Sequence, residues 1–258
     1  MASAVAMRRE SQGFRYEADM MPILRRALPR LAFRREANSP VEVFSEVPAV
    51  HGIPDLAGIR FDFERIAARA ALGIRPLTTD SEVRAVLAIG DGVATTREIS
   101  ERTRMSADYM RRAVAPLLIE QGWLEWTEDS RLRRRAGAQW VGKRVVTVEA
   151  KLHDWRRALT QARRQQLSAD AAYIALDARA IGRVTEHLSE IARGGVGVIA
   201  VHCDSQRARV LVRPTAILDS RRAVGRALLA ERSLEMMLRG TREGQIYPVF
   251  GWTAPHLT

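Results

Sequence analysis

Residues 144–151, with the sequence RVVTVEAK, decide how the chain folds. Their β-branched side chains are typical of a strand, and a strand points successive side chains to opposite faces of its sheet. Glu149 and Lys151 therefore share one face, while Val148 and Ala150 point the other way into the core. The pattern predicts a strand that ends with a carboxylate beside an ammonium group.

Apolar spacing predicts regular elements on both sides of this strand. Before it, residues 15–33 are predicted to form an amphipathic helix, and residues 41–47 and 53–61 to form two strands. The helices predicted after it cover residues 154–167, 181–193 and 219–239, and the strands cover residues 171–176, 196–202 and 208–213. With residues 80–140 set aside, the chain begins with the order helix, strand, strand, strand, helix, strand.

The intervening segment has a different pattern, with short helices in place of strands. A helix is predicted over residues 81–89, Thr95 opens a capping-box signature, and Ser106 caps a longer third helix. Residues 123–135 then have the pattern of a hairpin. Three short helices followed by a hairpin resemble a winged helix-turn-helix, which is a DNA-binding fold. Pro116 removes one backbone hydrogen bond from the third helix, so we expect that helix to be kinked or shortened.

The composition favours a globular protein with an affinity for polyanions. The chain has 41 basic and 30 acidic side chains, a net charge of +11, and 39 of the basic residues are arginine. This charge would attract nucleic acid, although arginines spread over solvated helix faces give the same total. The single cysteine, Cys203, excludes an internal disulfide, and no apolar run has the length of a membrane span. The first ten residues lack the pattern of a secretory signal, so we expect a cytoplasmic protein with no membrane partner.

Two short motifs lie on the predicted strands. Pro54-Asp55 falls at the second strand, and Glu149-Ala150-Lys151 ends the third. In this arrangement the chain resembles the PD-(D/E)xK nuclease superfamily, which has a restriction-endonuclease-like αβββαβ core with a mixed sheet. The resemblance implies an α/β fold in which residues 1–79 and 140–258 form one discontinuous nuclease-like domain. Residues 80–139 would then form the inserted winged-helix domain.

The resemblance also implies a catalytic centre. Asp55 and Glu149 would bind Mg²⁺ or Mn²⁺, for which carboxylate oxygens are suitable ligands, and Lys151 would assist the attacking water. Lys151 is one of only two lysines in the chain, and an ammonium group is a compact, titratable charge that arginine cannot replace. The alternative is structural: Glu149 and Lys151 would form an exposed ion pair, and Asp55 would cap a turn.

Two further residues join the candidate site through the same resemblance. Many members of the superfamily have an additional acid on the first helix, for which Glu17 is the candidate here and Glu46 on the first strand is the rival. Gln161 resembles the glutamine that many members carry on the helix after the lysine. Gln165 stands where the family pattern has a tyrosine, so that pattern is incomplete.

Six arginines of the inserted segment are candidates for DNA binding. Arg111 and Arg112 lie near the start of the third helix, where winged helices meet the major groove. The hairpin supplies the other four, which are Arg131, Arg133, Arg134 and Arg135. Double-stranded DNA is the expected partner because these arginines concentrate on the two elements that would touch it. The alternative is a protein–protein module whose hairpin arginines form a solvated edge.

The sequence therefore predicts a metal-dependent DNA endonuclease or a related phosphodiesterase. The alternative is a transcriptional or architectural DNA-binding protein in which the nuclease-like core is only a scaffold, and an RNA-directed nuclease or regulator is a third option. A homodimer is plausible, since cutting both strands of a duplex needs two sites. No function is predicted for residues 196–258.

Overall fold

The computed structural model describes residues 13–33, 40–215 and 221–244 of the chain. The predictions for the first ten residues and for a helix start at residue 219 lie outside these ranges. The strands are β1 (Val41–Ser45), β2 (Leu56–Phe61), β3 (Val93–Ala94), β4 (Leu124–Trp126), β5 (Leu132–Arg134), β6 (Gly142–Lys151), β7 (Ala171–Asp177), β8 (Gly197–His202) and β9 (Arg207–Val212). The α-helices are α1 (Met21–Ala32), α2 (Phe63–Ala71), α3 (Asp80–Ile89), α4 (Thr96–Thr103), α5 (Ala107–Tyr109), α6 (Ala115–Glu120), α7 (Trp155–Gln165), α8 (Leu188–Arg193) and α9 (Arg222–Leu238).

Six of the strands form one mixed sheet in the order β1-β2-β6-β7-β8-β9. β6, β7 and β8 run parallel to their neighbours in that group, whereas β1, β2 and β9 pair antiparallel. The predicted α/β class with a mixed sheet is confirmed. β2 and β6 are direct partners although the whole inserted segment separates them, and β8 and β9 extend the sheet beyond the elements that the sequence resemblance covers.

Both faces of the sheet are covered by helices, because the parallel strands need crossover connections. α1 packs against one face, where it meets Val146 and Val148 of β6. α7 and α9 pack against other parts of the sheet in two further clusters. The central part of β6 is consequently buried on both faces, and Glu149 is buried together with Val148 and Ala150.

Two local features differ from the sequence prediction. No helix was predicted for residues 63–71, yet α2 forms there with the Asp62 side chain accepting a hydrogen bond from the Arg65 N–H. The helix predicted over residues 181–193 is divided into 3₁₀ turns and the short α8, and Gly182 within it lowers the helical propensity.

Residues 80–139 contain a small sheet of their own, in the order β3-β5-β4, and three helical segments. The predicted capping box of Thr95 is confirmed, and so is the Ser106 cap. The third helical segment continues past Pro116 to Glu120, and the irregularity expected from this proline takes the form of a π-helical turn. A π-helical turn over Met110–Val114 precedes α6 and provides a carbonyl acceptor one residue further back, since the Ala115 N–H donates to the Met110 oxygen.

A buried ion pair joins α2 to α9 and contacts the inserted segment. The Arg69 guanidinium donates to both carboxylate oxygens of Glu231, at 2.7 and 2.9 Å, and both side chains are at most 2% exposed. The Leu77 N–H donates to the same carboxylate at 3.2 Å. Arg69 also lies 4.6 Å from the ring centroid of Trp123 in the inserted segment. The pair therefore fixes α2, α9 and the inserted segment against one another.

Replacement of Glu231 by glutamine should lower the free energy of unfolding by about 3 to 5 kcal/mol, because Arg69 would keep a buried charge without a counter-charge. Urea unfolding of the wild type and the variant measures the difference. Glu120→Gln is the matched control, since it breaks the exposed Arg75–Glu120 pair, whose loss should cost less than about 1 kcal/mol. Equal effects of the two substitutions would contradict the role of the buried pair.

Candidate active site

The pairing of β2 with β6 brings Asp55 to Glu149. Leu56 lies opposite Val148 in the antiparallel register, so the residue before Leu56 and the residue after Val148 are also neighbours. Asp55 is anchored there because its Oδ2 accepts a hydrogen bond from the Ala150 N–H at 2.7 Å. Two carboxylates thus lie side by side at one end of the sheet.

Lys151 lies at the same end and connects these carboxylates with the first helical region. Its Nζ donates to Glu17 Oε2 at 2.9 Å and to the Ala150 carbonyl oxygen at 2.8 Å, and lies 4.0 Å from Asp55 Oδ2. Glu17 begins the 3₁₀ turn that leads into α1. Glu46, the rival of Glu17, meets the group through its backbone, where its N–H donates to the Asp55 carbonyl oxygen at 3.4 Å.

The structure therefore brings together four of the five predicted catalytic residues, which are Glu17, Asp55, Glu149 and Lys151. Lys151 is only 13% exposed, and Glu149 is 1% exposed, so the predicted alternative of a solvated surface pair does not describe this arrangement. The roles of these residues in chemistry remain predictions.

The fifth residue, Gln161, is replaced in this contact by the glutamine one helical turn later. Gln165 is buried and its Nε2 donates to Glu149 Oε1. Among the described residues, Gln161 makes no hydrogen bond to Glu149, and its own Oε1 is buried without a partner. The signal in the sequence was the spacing of four, which places both glutamines on one face of α7.

Burial and like charge both act on the two carboxylates. Burial raises the pKa of Glu149 to about 7, the negative charge of Asp55 adds to the increase, and the Gln165 hydrogen bond and Lys151 oppose it. Burial also raises the pKa of Asp55, against the Ala150 N–H and Lys151. At neutral pH the two carboxyl groups therefore tend to retain a proton. A cation bound in place of that proton would relieve the same repulsion between the carboxylates.

The oxygen donors of this group are suitable for a hard cation such as Mg²⁺. Glu149 Oε2 is buried and has no hydrogen-bond partner within the described part of the chain, which leaves it available as a ligand. No cluster of three or more His, Cys, Asp or Glu side chains in residues 13–33, 40–215 and 221–244 could hold a metal ion. A metal would therefore have the two carboxylates of Asp55 and Glu149 and would complete its shell with water, as Mg²⁺ commonly does.

The six predicted DNA-binding arginines lie in the inserted segment, and five of them form ion pairs. Asp108 pairs with Arg111 at 3.1 Å and with Arg112 at 2.7 Å, and all three side chains are exposed. The pairs of the hairpin are Arg131 with Glu98, Arg133 with Glu125, and Arg134 with Asp91. Arg135 donates to the Leu72 carbonyl oxygen at 3.4 Å. The arginines are thus placed at a surface, where carboxylates partly compensate their charge.

The excess positive charge does not lie in the inserted segment, although the arginines predicted to bind DNA do. Residues 80–139 contain ten arginines and ten acidic side chains, so the inserted segment has a formal charge of zero. The whole excess of +11 lies on residues 1–79 and 140–258. A long-range attraction for a polyanion must therefore come mainly from the part of the chain outside the inserted segment.

The function is inferred from this arrangement of residues and not from related proteins. No protein-family model matches the chain, and the search of curated proteins gives no match. Within the described residues, none of the helices combines the length and the apolar character that crossing a bilayer requires.

The metal-free protein should become less stable as the pH rises from about 4.5 to about 7, because native Glu149 keeps a proton that the unfolded chain has already released. The raised pKa of Asp55 acts in the same direction. The Glu149 shift corresponds to about 3 kcal/mol in the free energy of unfolding. Urea unfolding in EDTA across this pH range measures the loss.

Glu149→Gln is the control for this pH dependence, because the amide cannot titrate and still offers an oxygen to Gln165. Its free energy of unfolding should change much less between the same pH values. A wild-type profile as flat as that of the variant would contradict the raised pKa of Glu149.

Proposed function

We propose that the chain is a metal-dependent DNA endonuclease whose active site contains Asp55, Glu149 and Lys151, with Glu17 as a further acid. One observation carries the proposal: the buried carboxylate of Glu149 lies beside the partly buried carboxylate of Asp55 across β2 and β6, and one of the chain's two lysines contacts this group. A core with a purely structural role has no evident need for this arrangement, because burying like charges is costly. Strongly perturbed carboxyl groups are typical of functional sites.

Hydrolysis of a phosphodiester needs an oriented water and compensation of the charge that develops on the phosphate. Mg²⁺ or Mn²⁺ held by Asp55 and Glu149 would polarise the phosphate and acidify a water. Lys151 supplies a positive charge for the phosphate that reacts. Glu17 and the Ala150 carbonyl oxygen accept hydrogen bonds from its Nζ and hold it in place. Gln165 fixes one oxygen of Glu149, and the Ala150 N–H fixes one oxygen of Asp55. The site is thereby ordered before substrate binds.

The inserted segment would act as a winged helix that positions double-stranded DNA. Its three helical segments and three-stranded sheet support this assignment, and Arg111 and Arg112 are exposed on the third helical segment. Exposed ion pairs contribute less than about 1 kcal/mol, so phosphate groups could replace Asp108 as the partner of both arginines. Cutting both strands requires two active sites, which a homodimer would supply.

Purified protein should cleave DNA in Mg²⁺ or Mn²⁺ and not in EDTA, and Lys151→Ala and Asp55→Asn should each lower the cleavage rate by about 100-fold or more. The physical reason is loss of the positive charge beside the phosphate in the first variant and loss of a metal ligand in the second. Linear, nicked, branched and single-stranded DNA substrates, resolved on denaturing gels, measure the rates and the preferred structure.

Lys143→Ala is the matched control, since Lys143 is the other lysine and its half-exposed side chain pairs with Asp62 at 3.4 Å. Its cleavage rate should equal that of the wild type. Cleavage that survives both site substitutions, or that is absent with every metal, would contradict the nuclease assignment. DNA binding without cleavage would instead support a transcriptional or architectural protein.

The combined substitution of Arg111, Arg112, Arg133 and Arg134 by alanine should weaken DNA binding and reduce its dependence on salt concentration, because contacts to phosphate are lost. Asp108→Asn should have the opposite effect on affinity, since it releases Arg111 and Arg112 from their carboxylate partner. Fluorescence anisotropy with a labelled duplex measures both. Unchanged affinity and salt dependence in both variants would assign the inserted segment to protein binding instead.

A further inference from the structure

α7 carries a row of arginines on its outer surface. Arg156, Arg157, Arg163 and Arg164 are all exposed, and the exposed Thr160 lies between them. At about 100° per residue, these five positions fall within about 120° of the helix circumference. They therefore form a single stripe, here named the α7 stripe.

The arginines of the α7 stripe differ from those of the inserted segment in having no carboxylate partners. Within the described residues, none of the four guanidinium groups forms an ion pair. Arg156 lies 4.6 Å from the ring centroid of Trp155, which holds it against the helix surface. The inserted segment, by contrast, has a formal charge of zero. The α7 stripe is therefore a concentrated positive charge that the rest of the described structure leaves available.

The same helix belongs to the candidate active site through its inner face. Gln165 on that face donates to Glu149, and α7 begins shortly after Lys151 ends β6. In the neighbouring layer His187 stacks on Trp155 at a centroid distance of 4.7 Å, and the exposed Arg183 and Arg193 are matched there by the exposed Glu186 and Glu190. A polyanion on the α7 stripe would thus bind the outer side of the same helix whose inner side contacts Glu149.

We propose that the α7 stripe binds the phosphate backbone of double-stranded DNA and provides most of the electrostatic attraction for it. The inference rests on the proposed function for the identity of the polyanion, but it does not require cleavage. Guanidinium groups match phosphate oxygens in a bidentate geometry. From Arg156 to Arg163 the helix rises about 10 Å, which spans about three phosphates of one DNA strand.

Duplex DNA suits the stripe better than a membrane surface does. A helix that lies on a membrane inserts an apolar face into the lipid. The apolar face of α7 is already buried, since Trp155, Ala158, Leu159 and Ala162 pack in the core against β7. The outer face offers only arginines and a threonine, which are donors for phosphate without apolar anchors.

The test compares DNA binding by variants of the full chain that all carry Lys151→Ala, which prevents cleavage during the measurement. The stripe variant replaces Arg156, Arg157, Arg163 and Arg164 by glutamine, which preserves helical propensity. Anisotropy titrations with a labelled duplex at several salt concentrations should show affinity about 100-fold lower at low salt. The slope of log affinity against log salt should decrease by about three, because each lost phosphate contact removes about 0.9.

A second quadruple variant is the matched control for net charge. It replaces the exposed arginines Arg84, Arg97, Arg102 and Arg104 of the inserted segment by glutamine, which removes the same four charges. The salt slope of this control should stay close to that of the parent. Arg163→Gln with Arg164→Gln, which leaves the Arg156 contact with Trp155 intact, should give about half of the stripe effect, and thermal unfolding verifies that every variant is folded.

Several outcomes would overturn the inference. Equal losses in the stripe variant and the control would indicate non-specific attraction, and no DNA binding by the parent would remove the partner altogether. Phosphatidylserine vesicles that bind the parent, but not the stripe variant, in the absence of DNA binding would assign the stripe to membranes. If DNA binding depends on the stripe but the wild-type protein, which retains Lys151, does not cleave DNA, the inference is supported and only the nuclease assignment is contradicted.

Discussion

The candidate site depends on one backbone constraint, which is the antiparallel pairing of β2 with β6. The chain leaves β2 and returns to β6 at almost the same place, since the Asp62 N–H donates to the Val141 carbonyl oxygen at 2.8 Å. Closing even a long loop adds only a logarithmic entropy cost, and this inserted segment has its own buried core. The insertion can therefore be large without disturbing the register that places Asp55 beside Glu149, and the Arg69–Glu231 pair then fixes its attachment.

Maintaining the two carboxylates at this position opposes stability. Burial raises the pKa of both Asp55 and Glu149, and nearby negative charge adds to it, from Glu17 at Asp55 and from Asp55 and Glu17 at Glu149. The fold therefore retains an electrostatic conflict that a pair of apolar residues would remove. The surrounding contacts only partly offset it, through Lys151, Gln165 and the Ala150 N–H. Local conflicts of this type concentrate at functional sites, where a ligand can resolve them. A divalent cation would do so here by replacing the proton with a stronger positive charge.

Part of this arrangement could be predicted from the sequence. The two-residue period of β6 placed Glu149 and Lys151 on one face, and the resemblance to the nuclease superfamily supplied Asp55 and Glu17 as further members of the group that the structure brings together. Gln165 was missed because the offset of α7 along β6 is determined by packing, which the helical period alone does not specify. The acidic partners that neutralise the arginines of the inserted segment were also missed, since pairs such as Arg134 with Asp91 join residues that are distant in the sequence.

The distribution of charge along the chain distinguishes long-range attraction of DNA from positioning of DNA at contact. The total composition does not. Net charge acts over distances of about 10 Å at ordinary salt, whereas compensated ion pairs act only at contact. The inserted segment is formally neutral, so its arginines can exchange carboxylate for phosphate only once DNA is already close. The excess charge lies on the part of the chain that contains Lys151 and α7. Under the proposed function, that part would attract DNA from a distance and the inserted segment would position it at contact.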